Sequence, residues 1–125
     1  MPDLNKVILL GRLTKTPQLR YTPAGAAVVD LGVATGRKWK TGPGELKHET
    51  TYSQVTMWGK QAETIAKYLD RGDSIFIEGR LHLEKWKGPD GGRRQKLKVM
   101  GESFQFVSTK QQDESDEGDI GDYPE

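Results

Sequence analysis

The chain has 125 residues, 34% apolar and 30% charged, which fits one soluble domain with a modest core and excludes a wholly disordered chain. It contains no cysteine, so disulfides and thiolate-held zinc or iron–sulfur sites are excluded, and a reducing cytoplasm is a compatible setting. The net charge of +1 conceals an asymmetry: the seven acids from Asp113 onward have no base among them, so residues 1–112 hold nineteen bases against eleven acids, a body of +8 followed by an acidic tail. Such a body points to a polyanionic partner. No apolar run approaches membrane-spanning length and no secretory signal opens the chain.

In chain order, residues 5–13 read as a strand buried on both faces, because Val7, Ile8, Leu9 and Leu10 are consecutive. Gly11 within it predicts a bend or bulge. Thr16-Pro17 and Thr22-Pro23-Ala24-Gly25 mark turns around an extended Leu19-Arg20-Tyr21. Residues 26–37 form a second long strand with Ala27, Val29, Leu31, Val33 and Thr35 on one face. Thr41-Gly42-Pro43-Gly44 is a hairpin tip, and residues 47–58 return as the third. On that strand Val55 and Met57 face a core, while Tyr52, Gln54, Thr56 and Trp58 share the other face. Two flat rings among polar residues suit a platform for stacked bases or, on this strand alone, two half-buried rings under a loop.

Ala62, Ile65, Ala66 and Leu69 follow at helical spacing, with Gly72 placed as a left-handed cap. Residues 74–87 read as a strand with Ile75, Ile77, Leu81 and Leu83 inward, and Gly88 to Gly92 as a second hairpin tip. The last strand, 93–107, turns Leu97 and Val99 inward and bulges at Gly101. From Ser108 the chain is polar and acidic and is expected to be disordered. The expectation is therefore an all-β domain over 1–107 with one short helix, a five-stranded, partly open Greek-key barrel of the oligonucleotide/oligosaccharide-binding (OB) kind, with the helix between strands three and four, and a tail over 108–125.

Four aromatics stand where such a barrel presents them outward. Trp39 sits among Arg37, Lys38 and Lys40; Tyr52 and Trp58 share a strand, with Lys60 just after; Trp86 lies between Lys85 and Lys87. Rings take any base by its face, and cations follow the phosphates. No element suits reading of a duplex groove. Single-stranded DNA, RNA and a protein partner of the aromatic face are all compatible with this pattern.

No catalytic or metal-binding motif is complete. A phosphate-binding loop ending at Gly59-Lys60 lacks its first glycine at Gln54 and its hydroxyl residue at Gln61. Gly101-Glu102-Ser103-Phe104-Gln105 fails the hydrolase elbow at its last position. His82 and Glu84 share a face without a third ligand. The expectation is a non-enzymatic protein without cofactor or metal.

Asn5-Lys6-Val7-Ile8-Leu9-Leu10-Gly11-Arg12-Leu13, Arg20-Tyr21, Trp58-Gly59-Lys60-Gln61-Ala62, Ile77-Glu78-Gly79-Arg80-Leu81 and Lys85-Trp86 together resemble bacterial single-stranded DNA-binding proteins over about residues 4–107. The resemblance implies a barrel that wraps and protects single-stranded DNA with little sequence preference during replication, recombination and repair. It implies a homotetramer in the cytoplasm, associated with the nucleoid and not with membranes. Family base-stacking positions fall on Trp39, Tyr52, Trp58 and Trp86, where Tyr52 replaces a common tryptophan. Family phosphate positions match Lys6, Arg20, Lys60, Arg71 and Lys85, and Arg37, Lys38 and Lys87 join them as neighbours of the rings. The family tail carries partner binding for replication and repair proteins and closes on Ile-Pro-Phe. The corresponding segment here is Asp119-Ile120-Gly121-Asp122-Tyr123-Pro124-Glu125, with its aromatic ahead of the proline and a charged last residue. A tail that only keeps a basic protein soluble is the alternative.

Overall fold

A computed structural model describes residues 2–107; the acidic segment 108–125, with the expected partner-binding residues, lies outside the described residues. Six strands and one helix follow in order: β1 (Val7–Leu13), β2 (Leu19–Tyr21), β3 (Ala27–Gly42), β4 (Glu45–Trp58), α1 (Gly59–Tyr68), β5 (Ser74–Lys87) and β6 (Arg93–Phe106). The sheet order is β1-β5-β6-β4-β3-β2, and β1 also pairs with β3. The expected five-stranded barrel is therefore present and closed, with β2 added to the outer edge of β3. Closure is short at both seams: Arg12↔Ala34 and Leu13↔Val33 join β1 to β3, and Val55↔Val99 and Thr56↔Met100 join β4 to β6 in parallel.

Strand alternation builds the core. Val29, Leu31 and Val33 of β3, Val55 and Met57 of β4, Ile75 and Ile77 of β5, Val99 of β6 and Leu13 of β1 all point into the barrel and are buried. Ala62 and Ile65 of α1 belong to the same cluster, so the ten-residue helix is held by docking onto the barrel. Full burial of a side chain such as Ile75 contributes roughly 1.5–3 kcal/mol. Among the described residues, no helix is long and apolar enough to cross a membrane.

Several expectations are corrected. β1 is buried on one face only: Val7 and Leu9 pack on the core, while Ile8 and Leu10 are exposed. Leu81, Leu83 and Leu97 are also exposed. They have the inward alternation, but β5 and β6 run past the barrel rim as a free-standing arm with no core opposite. Gly11 makes no bulge; the β1–β5 register is unbroken across it, and a side chain there would collide with the Ala34 carbonyl of β3. Gly72 has φ of 93° but does not cap the helix. The helix ends at Leu69, whose N–H donates to the Ile65 carbonyl, and Gly72 serves the next turn, donating its N–H to Leu13. The expected bulge does fall at Gly101: Glu78 faces Ser103 and Gly79 faces Gly101, leaving Glu102 unpaired in the ladder.

Candidate nucleic-acid interface

Two long hairpin arms, β3–β4 and β5–β6, leave the barrel at the end of the core. Opposed residues of an antiparallel ladder share a face. Tyr52 opposes Ala34 and Trp58 opposes Val28, both on the outer face of the β3–β4 ladder. Tyr52 is 72% exposed and Trp58 44%. The six-residue separation along an extended strand places them about 20 Å apart. Trp86 opposes Arg94 on the outer face of the β5–β6 arm and is 46% exposed. Its surroundings are Lys85, Lys87, Arg93, Arg94 and Gln95, so the ring stands in a cluster of cations.

Trp39 differs from the other three. It opposes Lys47 and has the alternation of Val29 and Val33, the face opposite to Tyr52. This far along the arm that face no longer meets the core, so the ring is half-buried rather than sealed. The Arg37 guanidinium lies over it, 4.7 Å from the ring centre, and also pairs with Glu49 at 3.6 Å. A cation in this position is attracted to the ring face and covers part of it.

The structure sorts the expected phosphate-binding residues by what already holds them. Lys6 lies 4.0 Å from Glu102. Arg20 is committed to Asp30, donating from Nη2 to Oδ2 at 2.8 Å. Lys38 of β3 stands opposite His48 of β4. Among the described residues, Lys60, Arg71, Lys85 and Lys87 are in none of the ion pairs and are exposed. Arg71 is presented by a tied loop. Asp70 accepts hydrogen bonds from the Thr16 hydroxyl and the Arg71 N–H, both at 2.7 Å, and Gly72 and Leu13 connect the same loop to β1. The Thr16 hydroxyl, then the Arg71 N–H, hold the Asp70 carboxyl below the usual carboxylate range.

Between the arms lies an open cleft of about 470 Å³. Its lining includes Tyr52 and Gln54 of β4, Leu81 of β5 and Leu97 of β6, and the cations Lys15, Lys96 and Lys98, the last paired with Glu84 at 3.3 Å. The sequence reading missed these cations and assigned Leu97 to the core. The run Lys96-Leu97-Lys98 carries the signal that could have found them, a strand alternating base with apolar. Thr56 also departs from a wet face: it is buried, its hydroxyl donating to Asp30 Oδ1 at 2.8 Å.

The chemistry assembled here is stacking, apolar contact and cationic contact. A family model described as the single-strand binding protein family matches residues 4–107. The chain is 42% identical over 108 residues to single-stranded DNA-binding protein 3 of Listeria innocua serovar 6a, covering 86% of this chain and 66% of that protein. It is 42% identical over 106 residues to the single-stranded DNA-binding protein of Wolinella succinogenes, covering 85% and 65%. The chain thus spans about two thirds of the length of the curated relatives it matches. Among solved structures, the fold is similar to that of Plasmodium falciparum SSB in complex with ssDNA, with a TM-score of 0.76 at 24% identity over 86% of this chain and 98% of that one. A deletion mutant of the single-stranded DNA binding protein from Thermus aquaticus gives 0.74 at 35% identity, over 84% and 51%. With the ring-bearing closed barrel on one side and these matches on the other, the chain belongs to the single-strand binding protein family.

Proposed function

We propose that this protein binds single-stranded DNA without catalysis and with little sequence preference, protecting it during replication, recombination and repair. The observation that carries the reading is Tyr52, the most exposed of the four rings, lining an open cleft together with Lys15, Lys96 and Lys98. Bases stack on Tyr52, Trp58, Trp86 and the uncovered side of Trp39. Lys60, Arg71, Lys85 and Lys87 follow the backbone, with Lys6, Arg37 and Lys38 beside them. A single strand exposes bases to such a surface and a duplex does not. Titration with oligo-dT tests the reading: tryptophan emission falls, affinity drops with salt, and duplex competes poorly. No quenching, or equal competition by duplex, refutes it; preferential competition by matched RNA transfers the reading to RNA.

The same reading makes the chain a homotetramer in the cytoplasm. Ile8 and Leu10 form an exposed apolar pair on β1, and residues 7–11 of that strand pair with β5 alone, leaving one edge open. Light scattering that returns a monomer mass rejects this. The acidic segment ending at Glu125 is proposed to contact replication and repair proteins, and deletion of 113–125 abolishes that contact in a pull-down while leaving DNA binding intact.

A further inference from the structure

Arg20 was expected to meet phosphate, yet its guanidinium is already engaged. It donates to Asp30 Oδ2 at 2.8 Å, and the other carboxylate oxygen accepts from Thr56 at 2.8 Å. Asp30 and Thr56 are directly opposed across β3 and β4, on the outer face that also carries Tyr52 and Trp58. The next outward pair on one side is Gly32 with Gln54, and on the other Val28 with Trp58. A carboxylate therefore lies in the middle of a face whose ligand is a polyanion. Thr56 is the one buried polar residue among those described, and Asp30 is the acceptor that satisfies it. The Asp30 carboxyl is thus fixed from within the ladder by Thr56 and from outside by Arg20. Lys98, whose side chain is largely covered and which pairs with Glu84 at 3.3 Å, adds positive potential at Asp30.

We propose that Asp30 is an internal counter-charge and positioning residue of the DNA-binding face, holding Arg20 in place and cancelling its charge so that Arg20 neutralises no phosphate. Withdrawal of Arg20 to meet a phosphate would leave a part-buried carboxylate without its closest cation, which opposes the exchange. The pair then lowers the cationic charge between Tyr52 and Trp58 and leaves that stretch of the face to the rings. The proposal rests on the single-strand-binding reading given above.

The charge arithmetic makes it testable. Each phosphate neutralised on a single strand contributes about 0.7 to the slope of log affinity against log salt. Oligo-dT is titrated by tryptophan quenching across a salt series, using full-length protein as native, Asp30→Asn, and the isoelectric double variant Asp30→Asn with Arg20→Gln. Asparagine still accepts from Thr56, and thermal melts confirm folding of each variant. Asp30→Asn releases the Arg20 charge, so its slope is steeper than native by about 0.7, and its advantage in affinity shrinks ~2.6-fold between about 50 and about 200 mM salt. The double variant returns to the native slope. Equal slopes for Asp30→Asn and native overturn the proposal, because Asp30 then has only a structural role. A double variant shallower than native by about 0.7 also overturns it, because Arg20 then meets phosphate in the native protein. Native protein that fails to quench refutes the single-strand-binding reading instead, so the two failures are distinguishable.

Discussion

Asn5 and Leu81 form a two-way hydrogen-bonded pair: Asn5 Nδ2 donates to the Leu81 carbonyl and the Leu81 N–H donates to Asn5 Oδ1, each at 2.9 Å. The side-chain amide thereby stands in for a strand residue and extends the β1–β5 pairing two residues beyond Val7 and Gly79. Leu81 is where β5 leaves the barrel to become an arm, so the pair sets the base of that arm. Two neutral hydrogen bonds contribute about 0.5–1.5 kcal/mol each. Asn5→Ala is expected to lower the unfolding free energy by about 1–2 kcal/mol in urea titration. Asn5→Asp keeps only the acceptor and loses part of that amount. An unchanged midpoint for Asn5→Ala refutes the role.

Tyr52 and Trp58 share one face of one strand, so each is expected to meet a base independently. Trp58→Ala and Tyr52→Ala should each weaken oligo-dT binding by roughly 1–3 kcal/mol. Tyr52→Phe should be nearly silent, since stacking uses the ring and not the hydroxyl. Loss of the same size in Tyr52→Phe would mean that the phenol oxygen, not the ring face, makes the contact.

At Gly79 the β6 backbone leaves no room for a side chain on β5. A side chain there would meet the Met100 carbonyl, which is backbone and cannot turn away. Gly79→Ala is expected to cost about 1–3 kcal/mol of stability in urea. Gly36→Ala, where a side chain would meet open space, is the control and should stay within about 0.5 kcal/mol. Equal effects at the two positions would exclude the close approach as the cause.

Alternation along the strands was enough to place the barrel core, because a residue such as Val55 or Ile77 has a partner element directly across from it. The same alternation misled at Leu81, Leu83 and Leu97. Period two identifies a face but carries no information on how far a ladder continues beyond the body that covers it. Trp39 illustrates the same point from the other side: its core-type alternation would bury it inside the barrel, and on the arm leaves it half-exposed. The exposure of Tyr52 and Trp58 on one face was legible from strand alternation, and that of Trp86 from its basic neighbours at a hairpin base. Commitment of Arg20 to Asp30 was not, since it depends on β2 lying beside β3 and on a buried hydroxyl in β4, neither of which a local pattern encodes.

Acid stability follows from Asp70 and Asp30. Hydrogen bonds from Thr16 and the Arg71 N–H hold the Asp70 carboxyl low. For Asp30, burial pushes the carboxyl up, but hydrogen bonds from Arg20 and Thr56 and the charges of Arg20 and Lys98 outweigh it and leave the carboxyl below its ordinary value. A carboxyl whose folded pKa lies below its unfolded value, near ~3.9, stabilises the fold fully above that value. The contribution fades as pH falls through the folded pKa, where both states bind the proton. Melting temperature should therefore hold from neutral pH down to about 5 and decline below about 4. Asp70→Asn replaces the charged acceptor by a neutral one and should melt below the native protein at neutral pH. The gap should close as acid protonates the native Asp70, since the two side chains then carry the same charge. A gap that stays constant from pH 7 down to about 2 would show that Asp70 acts through shape and not through its charge.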